Sequence, residues 1–361
     1  MRTVIMRTIM IEPVGSSCNL NCLYCYQASV RDKKGIKIMP ISLLGEIIPQ
    51  VLKLGKSIRF LWHGGEPLLA GLDFFKEVVN LQQYYKKSDQ VIENHIQTNA
   101  TLINKSVAEF LIVNNFHAGT SLDGPEEVHN LTRNGSFKKV IQGIRNIQEA
   151  GGEVGIIITL NRHNVDYPVE IWENLIKPKK LARSWDINIC TPTEISHLEP
   201  SPEKALFFLK TLFDLWLEND DPQIYIKTFW IILRALLGGR TKDCAFEYNK
   251  CRFFMAIDED GNVYPCNRFL KRPVAFLGDI HDSSVLEILN NKETRIFYDR
   301  MSRLKPECKS CKWLNICGGG CPFQRWLSSG RFDGDFPECY IRKQFFSYIE
   351  EKIVKGHLYI K

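Results

Sequence analysis

Six short apolar runs rich in β-branched and aromatic residues, at 8–13, 57–62, 91–98, 117–122, 154–160 and 185–190, punctuate the first half of the chain. Between them lie stretches whose apolar residues recur at helical spacing, at 41–54, 72–85, 105–114, 137–150 and 168–176. The first pattern predicts strands and the second helices. Strand and helix in strict alternation predict a parallel sheet, because each helix carries the chain back to start the next strand in the same direction. Six such units, with no seventh or eighth strand evident, predict a partial (β/α)6, TIM-like barrel over 1–195 rather than a closed eight-stranded barrel or a Rossmann sheet. Chemistry in parallel barrels gathers at the carboxyl ends of the strands. Residues 196–240 read as a helical connector, with periodic helices at 203–216 and 228–237. From 241 to 361 cysteines crowd the chain. A β-hairpin is predicted at 256–266, turning at Asp258-Glu259-Asp260-Gly261-Asn262, and a last helix at 340–355.

Composition narrows the class. The chain has 361 residues, 44% hydrophobic and 24% charged, which suits a soluble globular protein with a sizeable core. A net charge of +6 spread over scattered Lys and Arg gives no basic stripe, so nucleic acid is not indicated as a partner. The apolar start is interrupted by Arg7 and lacks a small-residue cleavage site before Cys18, and the later run at 229–237 is broken by Arg234. Neither a secretory signal nor a membrane span is expected, and a cytoplasmic protein is. Twelve cysteines in clustered spacings, in a long chain without an export signal, point to metal binding rather than disulfides.

Cys18, Cys22 and Cys25 fall in the loop directly after the first predicted strand, spaced C-x3-C-x2-C. Three thiolates are one too few for a structural zinc or a closed 4Fe-4S cluster, so the set suggests a cubane with one iron open. Eight more cysteines, Cys244, Cys251, Cys266, Cys308, Cys311, Cys317, Cys321 and Cys339, suffice for two fully ligated four-cysteine sites. From spacing alone, Cys308, Cys311, Cys317 and Cys321 also pass as a zinc knuckle. Cys190 has no ligand role in this scheme and reads as a buried structural thiol.

The three-cysteine loop, with an aromatic before its third cysteine, resembles the signature of radical S-adenosylmethionine (SAM) enzymes. In them the open iron holds SAM, whose reductive cleavage gives a 5'-deoxyadenosyl radical. The run Cys251…Asp260-Gly261-Asn262-Val263-Tyr264-Pro265-Cys266, then Cys308, Cys311, Cys317, Cys321 and Cys339, resembles the SPASM extension of radical SAM peptide and protein maturases. By analogy with anaerobic sulfatase-maturating enzymes, Cys244, Cys251, Cys266 and Cys321 would hold one auxiliary 4Fe-4S cluster, and Cys308, Cys311, Cys317 and Cys339 a second. The same resemblance implies that Gly64, Gly65 and Glu66 form the SAM-amine motif, that Ser121 and Arg133 contact SAM, and that Tyr24 and Thr191 line its adenosine. Each has an ordinary alternative as a turn, cap or wall residue.

Three positions depart from the sulfatase maturases. Asn267 stands where an aspartate base usually follows the cysteine, His63 replaces a glutamine, and Gln27 replaces a tyrosine. An amide cannot take a proton near neutral pH. These three are the candidate catalytic residues, His63 as a base or as a wall of the SAM pocket. His63-Gly64-Gly65-Glu66-Pro67 is more similar to maturases that cross-link side chains, such as cyclophane-forming ones. The expectation is a radical SAM oxidoreductase that modifies a ribosomally made peptide or protein, with cross-link formation favoured over oxidation of Cys or Ser to formylglycine. Partners would be a precursor peptide and a reductant such as flavodoxin or ferredoxin; with seventeen residues before Cys18, leader recognition is expected to use the barrel mouth, the 196–240 connector or a separate leader-binding protein.

Overall fold

The computed structural model describes residues 7–31, 35–193, 197–240, 243–244 and 246–356. Strands β1 (Arg7–Ile11), β2 (Ser57–Trp62), β3 (Val91–Gln97), β4 (Phe116–Ser121), β5 (Val154–Leu160) and β6 (Ser184–Ile189) lie side by side in chain order, all parallel. Helices α1 (Ile41–Leu52), α2 (Leu72–Tyr85), α3 (Lys105–Val113), α4 (Glu126–Thr132), α5 (Phe137–Glu149) and α6 (Pro168–Ile171, continued by a π turn over Trp172–Ile176) connect them. Each predicted strand and helix is present; 57–62, 72–85 and 154–160 coincide with the observed elements, and most other ends shift by one to a few residues.

The alternation within the strands explains where the core and the cavity lie. In β2, Ile58, Phe60 and Trp62 are buried while Ser57, Arg59 and Leu61 are half-buried; in β5, Val154, Ile156, Ile158 and Leu160 are buried while Ile157 and Thr159 are half-buried. One face thus packs beneath the helices. From the other, Gln97, Ser121, Ile157, Thr159 and Asn188 line a cavity.

The sheet extends further than the pattern predicts. A two-residue strand β7 (Tyr225–Ile226) pairs parallel with β6, too short to register as a periodic run. At the opposite edge β8 (Phe254–Ile257), the first arm of the predicted hairpin, pairs parallel with β1, matching Thr8 to Phe254 and Ile11 to Ile257. Its partner β9 (Asn262–Tyr264) and then β10 (Gly278–Asp279) continue antiparallel. The result is one open ten-stranded sheet in the order β10-β9-β8-β1-β2-β3-β4-β5-β6-β7.

The connector helices α7 (Pro202–Asn219), capped by Ser201, and α8 (Lys227–Leu236) pack between barrel and C-terminal region. The closing helix, Cys339–Val354, docks on α7, with Phe345 edge-on to Phe213 at 6.0 Å and Lys352 2.9 Å from Asp214. Among the described residues no helix is long and apolar enough to cross a membrane.

Candidate active site

At the end of β1 the chain turns through Glu12 to Ser17 into the three-cysteine loop. Gly65 at the end of β2 holds that turn, its N–H donating to the Gly15 carbonyl at 2.8 Å, and the Glu66 N–H donates to the Ser17 carbonyl at 2.9 Å. A Cβ at position 65 would lie 2.0 Å from the Ser17 oxygen, so only glycine permits this approach. Gly64 has a φ of +108°, outside the range other residues readily adopt. Arg31 staples the loop from its far side, donating to the carbonyls of Ser16 (3.2 Å) and Leu20 (3.1 Å) and to the Cys25 sulfur (3.8 Å).

Cys18, Cys22 and Cys25 line a cavity of about 300 Å³ together with Tyr24, Gln27, His63, Gly64, Gly65, Ser121, Arg133, Thr191 and Asn267. Every residue predicted for the SAM site or for catalysis is therefore on its wall, except Glu66. The Glu66 carboxylate is buried and accepts from the Leu68 N–H (3.0 Å), the Thr98 hydroxyl (2.8 Å) and the Asn99 N–H (2.7 Å). Burial pushes its pKa up to about 7 against these hydrogen bonds. It caps the turn Pro67–Ala70 and fixes Asn99, whose amide reaches Asn19 Oδ1 (2.8 Å) and the Cys18 sulfur (3.7 Å).

Asp123 is the anchor that sequence reasoning passed over. It is fully buried, accepts from the Tyr24 hydroxyl and from the Thr159 N–H (3.0 Å), and lies 3.8 Å from Arg133. Arg133 in turn donates to the Tyr24 hydroxyl at 2.7 Å. This fixes two predicted SAM contacts relative to each other, and the aspartate closing a strand at Ser121-Leu122-Asp123 was the signal available in sequence.

On the wall formed by the C-terminal region, Asn267 donates through Nδ2 to the Tyr26 hydroxyl at 2.7 Å and lies 3.2 Å from His63 Nδ1. His63 Nδ1 accepts the Gly64 N–H at 2.7 Å, which leaves the hydrogen of the neutral ring on Nε2. Burial lowers its pKa to about 4, so the ring is neutral and a poor base at pH 7. Replacing His63 by Gln should accordingly keep SAM cleavage within roughly threefold of wild type and leave its pH profile unchanged. An inflection near pH 6.5 that disappears in the variant would show instead that the ring titrates during turnover. Gln27 is buried and donates to Glu12 Oε2 at 3.3 Å, and burial, reinforced by Asp258 and Glu259, raises the Glu12 pKa well above its ordinary value.

The eight C-terminal cysteines separate into two groups. Cys244, Cys251, Cys266 and Cys321 face one cavity, where burial raises the Cys251 thiol and Cys266, Cys321 and Cys244 add to the effect. Burial likewise raises Cys339; Lys343 opposes it, and Cys317, Cys308 and Cys311 add to it. The zinc-knuckle set taken from spacing is thus not the spatial one, since Cys321 belongs with the other group. Cys190 is buried on the wall of the first cavity and burial pushes its thiol up to about 12.

The Radical SAM superfamily matches residues 13–174, and the SPASM iron-sulfur cluster-binding domain matches residues 249–312. The cysteine-type anaerobic sulfatase-maturating enzyme of Clostridium perfringens (strain 13 / Type A) is 31% identical, covering 96% of this chain and 97% of that protein. The chain belongs to the radical SAM/SPASM family of anaerobic sulfatase-maturating enzymes. The serine-type enzyme of Bacteroides thetaiotaomicron is 29% identical over 95% of this chain and 88% of its own. Among solved structures, native anSMEcpe with bound AdoMet superposes with a TM-score of 0.86 at 28% identity, covering 98% of this chain and 99% of that one. Streptococcus suis SuiB bound to S-adenosylmethionine shares the fold, with a TM-score of 0.70 at 19% identity over 93% of this chain and 77% of that one.

The cysteine groups of this radical SAM/SPASM protein fit iron-sulfur clusters better than single zinc ions. A tetrahedral zinc with bonds of about 2.3 Å holds its sulfurs roughly 3.8 Å apart. Among the described residues no three cysteine sulfurs lie within 4.8 Å of one another; the one set of ligand atoms that compact is Asp258, Glu259 and Asp260 in the hairpin turn. Burial pushes Cys18 up to about 11 and Cys244 and Cys266 up to about 12, so loading these sites releases protons. The protein is thus a radical SAM enzyme acting on peptides or proteins.

Proposed function

We propose that this enzyme removes hydrogen from a side-chain carbon of a ribosomally made peptide and joins that carbon to a second side chain, forming an intramolecular cross-link. When bound, the cofactors supply an organic radical that takes the hydrogen and an iron-sulfur acceptor for the electron left behind. Cys18, Cys22 and Cys25 would hold the SAM-binding cluster, the two C-terminal quartets an auxiliary cluster each, and Tyr24, Gly64, Gly65, Ser121, Arg133 and Thr191 would bind SAM. Glu66 would position that site through Thr98 and Asn99. A precursor peptide, a cytoplasmic reductant such as flavodoxin or ferredoxin and a separate leader-binding protein complete the reading.

One observation carries the choice of product: Asn267 fills the wall beside Cys266 with an amide engaged to Tyr26, and among the described residues no carboxylate lines the cavity. Formylglycine formation requires a proton to leave the substrate heteroatom or its carbon as the radical is oxidised, and neither Asn267 nor the neutral His63 is equipped to take it. Closing a bond onto an aromatic ring also releases a proton, but recovery of aromaticity drives that loss and water suffices as acceptor. The product is lighter than its precursor by two hydrogens.

A second reading, formylglycine formation on a sulfatase, is favoured by the full-length identity to the Clostridium enzyme. The two separate on sulfatase-type peptides carrying the target Cys or Ser. Wild type is expected to leave them unmodified, with formylglycine appearing in the mass spectrum only after Asn267→Asp. Formylglycine made by wild type would reverse the order of the two readings.

A further inference from the structure

Among the described residues three guanidinium groups line the main cavity, and no Asp or Glu does. Two of the three are committed. Arg31 is spent on the carbonyls and sulfur of the cysteine loop, and Arg133 on Tyr24 and Asp123. Arg268 is different. It follows Asn267 on the C-terminal wall and lines both the main cavity and the one faced by Cys244, Cys251, Cys266 and Cys321. Among the described residues its side chain makes no hydrogen bond and no ion pair; Cys321, Tyr26, Cys244 and Cys266 lie within electrostatic range, and none of them accepts any of its five N–H donors. Arg268 is half-buried, so its fork faces the two cavities rather than bulk solvent. The planar fork matches a carboxylate best.

Resting on the reading of this protein as a peptide maturase, we propose that Arg268 is a specificity residue that pairs with a carboxylate of the substrate peptide, from an Asp or Glu side chain or from a free C-terminus. Its neighbours fit the assignment. Asn267 and His63 mark the wall where substrate would react; burial keeps the His63 ring neutral, and the nearby Arg268 charge acts in the same direction. A peptide anchored there by its acid presents a residue near it to the cavity.

The test is affinity selection on the anaerobically reconstituted, SAM-loaded enzyme from two synthetic ten-residue peptide libraries, one ending in a free carboxylate and one in an amide. Wild type should enrich Asp and Glu from both libraries if a side chain is read, or bind only the free-acid library if the terminus is read. Arg268→Gln should lose that preference and Arg268→Lys should keep a weakened form of it. For the best-bound peptide, converting the acid to its amide should weaken binding to wild type roughly thirtyfold and leave binding to Arg268→Gln unchanged. Iron content and SAM binding by equilibrium dialysis should match wild type in both variants. Acid enrichment that survives in Arg268→Gln, no acid preference in wild type, or loss of SAM binding in Arg268→Gln would each overturn the assignment. Failure of wild type to retain any peptide would overturn the maturase reading beneath it.

Discussion

Replacing Cys18, Cys22 and Cys25 together by alanine should remove about a third of the iron from anaerobically reconstituted protein and abolish 5'-deoxyadenosine formation. The proportion follows from four irons per cubane and one cubane of three, about twelve irons in all. The loop tolerates the change structurally, since its path is held by Arg31, Gly65 and Glu66 through backbone carbonyls rather than chiefly by the thiols. The C-terminal quartets should therefore retain their share. Metal analysis finding zinc in those quartets, or SAM cleavage persisting in the triple variant, would remove the basis for the proposed chemistry.

Glu66→Gln should lower stability and loosen the SAM site in a pH-dependent way. In the protonated acid the hydroxyl oxygen can still accept, whereas the amide NH2 of a glutamine accepts nothing and turns its hydrogens toward one of the donors now served, leaving a buried group unsatisfied for about 1–3 kcal/mol. The affected donors are Thr98 and Asn99, which steer the amide against Cys18. The pH dependence has a definite sign. Burial raises the Glu66 pKa from its ordinary value to about 7, so the folded protein binds this proton more tightly than the unfolded chain does. That contribution is fully present below about pH 4.5 and is lost as pH rises through about 7, amounting to something on the order of 3 kcal/mol. The wild-type advantage in melting temperature over the Gln variant should thus be larger at pH 5 than at pH 7.5. An equal difference at both would mean that the carboxylate stays ionised throughout.

Local chemistry was legible where local pattern creates it. Alternation in 57–62 and 154–160 announced strands because one face packs against helices and the other borders a cavity. The cysteine loop could be placed at a strand end because it follows β1 directly. What pairs at a distance left no such trace. Nothing in Phe254–Ile257 says that it lies beside β1 rather than only beside its own hairpin partner, because register between remote segments is decided by the assembled core. Asp123 reads as a turn residue before Gly124-Pro125, and its hold on Tyr24 needs two loops brought together from 99 residues apart. Glu66 reads as a cofactor residue because its motif sits beside the site; its oxygens take the Leu68 and Asn99 N–H groups and the Thr98 hydroxyl. Arg268 drew no notice, since an arginine in a cysteine-rich stretch looks like an ordinary solvated residue until its lack of partners is seen.

The pairing of β8 with β1 means that the cysteine-rich half cannot be detached as a cassette. β1 is hydrogen-bonded on one side to β2 and on the other to β8, so the strand that launches the SAM-cluster loop is interior. A chain ending at residue 240 would bare that backbone as a raw edge, a template for aggregation, and would withdraw the Ile257 carbonyl that takes the Glu12 N–H at 2.9 Å. Heat or denaturant should accordingly melt both halves in one transition. Gain or loss of the C-terminal cysteines over time would have to rebuild the first strand's surroundings as well.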